Sequence, residues 1–199
     1  MTSPIRDIVL SKVQALPDGL RRHTLRVEEV ALSLAQHHHV DEEKVRTGAL
    51  AHDLARAMKG ADLLLKALEY GIAVNSVEQQ LPVLLHGPVA AEMLKRTEGL
   101  DDSDVYDAIY WHSTAHKGLS HPAKVVFLAD KLDPQKSTRY RYQDRLKILA
   151  DKSLDEAIYE FLNCELIGLL QRDDLVHPAV VEARNDLALS GFLGRTNIQ

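Results

Sequence analysis

Apolar residues recur three and four positions apart along almost the whole chain, and no stretch alternates as a half-buried strand would. That period admits helices and little else, so the expected fold is all-α. Ile5, Ile8, Val9 and Val13 share a face in a first helix over 3–15, which Pro17 and Gly19 break. A longer helix is expected over 20–38, and Asp41 caps another over 42–58. Shorter helices follow over 61–70, 77–85 and 89–99, the last restarted by Gly87-Pro88. Asp101 or Ser103 caps a helix that reaches Trp111 and His112, and His121-Pro122 opens the helix AKVVFLADKLD. Two amphipathic helices over 146–171 and 178–190 complete the chain, after a basic stretch, Lys136–Arg145, that suits a mobile loop beside the site or, as the preferred reading, a solvated connection.

The 199 residues suffice for one domain over 1–199, with a motif-bearing core over 16–142 and C-terminal helices over 143–190. No run reaches the roughly 18 apolar residues of a membrane span, the N-terminus lacks a signal-peptide pattern, and the single cysteine, Cys164, has no internal partner. A cytoplasmic location without membrane attachment is the expectation. A net charge of -5 and an aromatic content of 5% argue against a nucleic-acid binder. They leave room for a small anionic substrate, because bound cations and a few arginines can reverse the field inside one cleft. The C-terminal helices suit either completion of the core or a homodimer interface.

Ten histidines are the unusual entry in the composition. His52-Asp53 stands inside GALAHDLARAM, a segment that otherwise reads as buried. An ionised aspartate costs several kcal/mol to bury unless a charge or hydrogen bonds compensate it. Neighbouring residues on a helix point about 100° apart, so both reach one cation only near a helix end or bend. The same character recurs: His23 in RRHTLRVEEVA, His86 ending LPVLLHGPVAA, His112 in DAIYWHSTAH and Asp130 in AKVVFLADKLDP. One such residue is usually a satisfied core polar group, but this recurrence points to a shared metal site. Four imidazoles and two carboxylates suit borderline transition metals, with manganese, zinc, cobalt, nickel and iron all compatible. Six ligands exceed the need of one open catalytic metal. Asp53 as a bridge uses them economically, with His23, His52 and Asp130 on one ion and His86 and His112 on the other. Two ions so held can activate water and clamp a phosphate oxygen.

The other histidines read differently. His37, His38 and His39 are expected at a solvated helix end, and His177 as the cap of a turn before Pro178. His116 and His121 flank the segment after His112; both suit surface positions, and either suits a substrate phosphate.

The order His23, His52-Asp53, Asp130 resembles the H…HD…D signature of HD-domain metal-dependent phosphohydrolases. LLHGPVAAEML around His86, AIYWHSTA around His112 and LADKLDP after Asp130 are similar to its YqeK-like branch, the symmetrical bis(5′-nucleosyl)-tetraphosphatase type. The resemblance covers about 16–142. It implies an HD-domain helical bundle, a di-iron centre, and cleavage of diadenosine tetraphosphate into two ADP. Two positions depart from that branch: Arg56 stands where HD-x-x-K has lysine, and Ala115 where the HTTG-like segment has glycine. With Asp53, Arg26 and Arg56 are the expected catalytic residues, one turn from His23 and His52, and both suit phosphate binding. Thr114, His116, Lys131, Arg139 and Arg141 are further substrate candidates, and Asp133 suits orienting a ligand or ending its helix. A broader nucleotide phosphohydrolase acting on nucleoside monophosphates, or a non-catalytic metal- and nucleotide-binding module, are the alternatives. Turnover of dinucleotides against mononucleotides separates them.

Overall fold

In the computed structural model, which describes residues 4–192, regular structure is entirely helical among the described residues. The α-helices are α1 Pro4–Gln14, α2 Asp18–His38, α3 Glu42–Ala51, α4 Gly60–Tyr70, α5 Ser76–Gln80 and α6 His86–Glu98. They continue as α7 Ser103–Tyr110, α8 His121–Lys131, α9 Gln143–Lys152, α10 Leu154–Gln171 and α11 Pro178–Leu187. The expected start of the first helix at residue 3 lies outside the described residues.

Two apolar clusters organise these helices. One gathers Val27, Val45, Ala49, Val126, Phe127, Leu146, Ile158 and Phe161 from α2, α3, α8, α9 and α10. The other gathers Val9, Leu50, Leu63, Leu94 and Ile109 from α1, α3, α4, α6 and α7, with Leu85 from the turn before α6. Helix α3 faces both: Val45 and Ala49 serve the first, Leu50 and Ala51 the second. Its close approach to α7 and α8 depends on Gly48, where a Cβ would stand 3.0 Å from Ala108 Cβ and 3.2 Å from Val126 Cγ2. Among the described residues, no helix is long and apolar enough to cross a membrane.

Four sequence expectations need correction. Helix α3 ends at Ala51 rather than at 58, and tighter turns follow, with Leu54 N bonding Ala51 O and Arg56 N bonding Asp53 O. Pro82 cannot donate a helical hydrogen bond, so the 77–85 segment divides into α5 and a 3-10 turn, Pro82–Leu85. The expected helix over 146–171 is two helices, because Ser153 adopts an extended backbone and its side chain accepts from Glu156 N as the cap of α10. The basic stretch after Lys136 is not a solvated connection throughout: Tyr140 is buried, and Gln143 Nε2 donates to Lys131 O and Asp133 O, each at 2.9 Å.

Candidate metal centre

His52 and Asp53 stand where α3 gives way to turns, so the two side chains converge instead of diverging around a helix. His52 Nε2 lies 3.5 Å from Asp53 Oδ2. Helix α2 contributes His23, whose Nε2 is 3.6 Å from the same Asp53 oxygen and 3.1 Å from Asp130 Oδ1 on α8. The opposite oxygen, Asp53 Oδ1, faces His86 Nε2 at 3.0 Å and His112 Nε2 at 3.6 Å. The structure thus brings together all six residues singled out in the sequence, with one carboxylate set between two histidine groups.

Gly87 makes the second group. A Cβ there would lie 2.7 Å from Tyr110 O, 2.9 Å from Ile109 O and 3.1 Å from His112 Cε1. Only its absence lets the start of α6 approach the end of α7 and bring His86 beside His112.

Each imidazole is oriented through Nδ1. His52 donates to Ala49 O at 2.6 Å, His112 to Ile109 O at 2.8 Å, and His86 to Val83 O. His23 Nδ1 pairs with Asp133 Oδ2 at 2.6 Å. These carbonyl acceptors fix the Nδ1–H tautomer, leaving bare Nε2 lone pairs directed inward. His52 Nε2 is buried without a hydrogen-bond partner. His86 Nε2 and His112 Nε2 stand 2.8 Å apart, with Ser113 Oγ 3.1 Å from the latter. Two lone pairs facing each other, and a third buried without a donor, are arrangements a cation resolves. The donor set therefore fits metal ions, and the groups His23–His52–Asp130 and His52–Asp53–His112 each converge closely enough for one.

The electrostatics agree. Burial opposes ionisation of Asp53, but His52, His112 and His86 reverse that and hold its carboxyl well below the usual range. Asp130 behaves likewise, lowered by Lys131, His23 and Lys136 against the effect of burial. Burial drives the His112 imidazole down to about 3, so it is neutral at physiological pH. At His23 burial acts downward, yet hydrogen bonds to Asp130 and Asp133 leave the imidazole raised.

A cleft of about 510 Å³ opens over this cluster. Arg56, Thr114, Lys131 and Arg139, all anticipated, line it together with Lys136 and Ser113. Arg56 and Arg139 have no carboxylate partner among the described residues, whereas Lys131 and Lys136 both donate to Asp130. Arg26 is placed elsewhere. Its guanidinium forms a two-pronged pair with Asp133 at 2.8 and 2.9 Å and also reaches Gln135 Oε1. Asp133, nearly fully buried, thus joins Arg26 to His23. His116 is outside the cleft lining and stacks on Trp111 at 4.4 Å. Arg141 is exposed and also outside it. His37 and His39 are exposed at the end of α2, as expected, while His37 and the half-buried His38 also bond Asp151 O and Ala150 O at the end of α9. His177 does cap α11, and also meets Asn75 Nδ2 at 2.9 Å.

Sequence reasoning missed the outer wall: Tyr140, Phe161, Leu162, Glu165 and Val180 also line the cleft. The amphipathic period of α10 carried the signal, but not which element its face would meet.

The HD-domain family matches residues 20–135, which span every member of the cluster. The chain belongs to the HD-domain family. The symmetrical bis(5′-nucleosyl)-tetraphosphatase of Staphylococcus aureus is 27% identical over 86% of this chain and 88% of its own length. The enzyme of the same name from Bacillus subtilis is 26% identical over 83% and 87%. A crystal structure from Clostridium acetobutylicum, described as a predicted HD superfamily hydrolase involved in NAD metabolism, superposes with a TM-score of 0.86 at 27% identity. It covers 92% of this chain and 96% of its own. These matches extend over more of the chain than the family's residues 20–135.

Proposed function

We propose that this chain hydrolyses dinucleoside tetraphosphates at a central phosphoanhydride, converting diadenosine tetraphosphate to two ADP. The observation that carries the reading is the placing of Asp53: Oδ1 faces His86 and His112, while Oδ2 faces His23 and His52. Those two sides would hold two divalent ions, one with Asp130 added, and iron is the assignment that the family resemblance favours. The names of the Staphylococcus and Bacillus relatives support the substrate class.

When bound, the ions supply water activation near neutral pH and neutralise charge on a phosphoryl oxygen. The chain's own residues do the rest. Arg56 and Arg139 meet the non-bridging oxygens of the polyphosphate, offering forked donors that lysine cannot. Lys136, on the rim beside Asp130, adds positive charge where the transition state gathers negative charge. Asp133 fixes His23 through Nδ1, and Arg26 fixes Asp133, so Arg26 acts as a positioning residue two contacts from the centre. Water oxygen bonds to a phosphorus next to the central bridge, the bond from that phosphorus to the bridging oxygen breaks, and ADP leaves as a stabilised anion.

Metal-replete protein incubated with diadenosine tetraphosphate, its products separated by chromatography, tests this. ADP alone is expected. ATP with AMP would overturn the cleavage position, and orthophosphate release from mononucleotides in preference would overturn the substrate class.

A further inference from the structure

The sequence puts Lys131 among the residues expected to meet substrate, and its side chain does reach the cleft lining. Its surroundings give it other work. Lys131 is the last residue of α8 and is only 3% exposed. An ammonium is held at that depth only where a counter-charge and acceptors meet it. Its Nζ donates to Asp130 Oδ2 at 3.0 Å and to the main-chain oxygen of His112. The same nitrogen stands 4.2 Å from the ring centre of Phe127, whose face attracts a cation. A lysine has three donors and no acceptor. Two oxygens and one ring face occupy all three, and none is left for a phosphate.

The two oxygens belong to opposite sides of the cluster. Asp130 stands with His23 and His52, its Oδ1 lying 3.1 Å and 3.8 Å from their Nε2 atoms. By holding Oδ2, Lys131 keeps Oδ1 turned toward those two imidazoles. His112 stands with His86, the two Nε2 atoms being 2.8 Å apart. His112 lies beyond Tyr110, the last residue of α7, so its carbonyl is outside the helix and is met by Lys131 instead. Asp53 joins the two sides through its own carboxylate. Lys131 joins them a second time, from behind, by tying the end of α8 to the turn after α7.

We propose that Lys131 is a positioning residue that couples the two metal sites, and not a ligand of substrate phosphate. The inference rests on the reading of the cluster as a two-metal centre. A group that orients metal ligands typically contributes about 10- to 100-fold in metal affinity. Because Lys131 serves one ligand on each side, its loss is felt at both ions.

In the experiment, ferrous iron is titrated anaerobically against a chromophoric chelator in wild-type protein, K131M and Leu146→Ala. Thermal melts and diadenosine tetraphosphate kinetics accompany it. Methionine keeps much of the lysine stem but offers no donor. K131M is expected to bind both ions more weakly, each by about 10-fold or more. At saturating iron its kcat falls while KM for the dinucleotide stays at the wild-type value, as it must for a residue that touches no phosphate. Leu146→Ala, in α9 and outside the cleft lining, is the structural control; it lowers Tm and leaves both affinities unchanged. Wild-type affinities in K131M, a loss confined to one ion, an equal loss in Leu146→Ala, or a raised KM at saturating iron would overturn the proposal. One equivalent of iron in the wild type would overturn the two-metal reading itself, and the coupling with it.

Discussion

Gly87→Ala sets two effects of opposite sign against each other. Gly87 is the second residue of α6, and alanine is favoured over glycine in a helix by about 1 kcal/mol. On propensity alone the variant would be more stable. The new Cβ, however, would lie 2.7 Å from Tyr110 O and 2.9 Å from Ile109 O. Both are backbone carbonyls at the end of α7 and cannot rotate away. Overpacking of this kind costs about 1–3 kcal/mol and has to be relieved by moving α6 from α7. Packing wins over most of that range, with a net loss of up to about 2 kcal/mol and a fall in Tm of up to roughly 8 °C for a chain of this size. Ile109 O also accepts from His112 Nδ1, so the same movement turns a histidine of the cluster and weakens metal binding. Thermal melts with chelator and with metal measure both terms. Gly19→Ala is the control, since nothing lies within 4 Å of a Cβ there; it should gain about 0.4–1 kcal/mol. A Gly87→Ala protein that melts at or above wild type and binds metal equally well would refute this reasoning.

Asp133→Asn should weaken metal binding 10- to 100-fold without removing any residue of the cluster, because His23 loses the partner that orients it; metal-competition titration would show this, and an unchanged affinity would remove Asp133 from the site. Against the effect of burial, bonds from Arg26 and His23 hold the Asp133 carboxyl down to about 2 from an ordinary 3.8. A depressed carboxylate stabilises the fold above its unfolded value and ceases to as pH falls through the folded one. About 2 kcal/mol is therefore lost between pH 3.8 and 2, a loss that denaturant melts should find missing from Asp133→Asn. His112, pushed down from 6.5 to about 3 by burial, works at higher pH: its neutral form must be kept, so metal-free protein weakens as pH falls below 6.5, as urea titrations at pH 7.5 and 5 would register. Ala115 is buried at φ 59°, in the left-handed region. Ala115→Val should lower Tm by more than Ala115→Gly changes it, because a branched side chain is a true outlier there; equal melting points would contradict this.

The helices and the six clustered residues were legible because each carries a local mark. Helical period gave the elements, and metal-capable side chains inside apolar segments gave the cluster. The need for a bend at His52-Asp53 also followed from helix geometry, although the end of α3 at Ala51 did not, since GALAHDLARAM continues the apolar period beyond it. What the sequence hid depends on partners far away in the chain. Arg26 looked like a phosphate ligand because its position relative to His23 is local, whereas its pairing with Asp133 spans 107 residues. His37 and His38 stand at a helix end as the sequence suggested, but their bonds to the end of α9 span more than 110 residues and left no local mark. Glu165 was unremarkable on an amphipathic helix until that helix closed one wall of the cleft.

The central claim is a two-metal centre bridged by Asp53, and metal counting tests it most directly. Purified without chelator and reloaded anaerobically with ferrous iron, the wild-type chain should hold two equivalents by elemental analysis, and Asp53→Ala should lose most of the metal and all turnover. One equivalent in the wild type, or an Asp53→Ala protein that keeps both ions and full activity, would contradict the account.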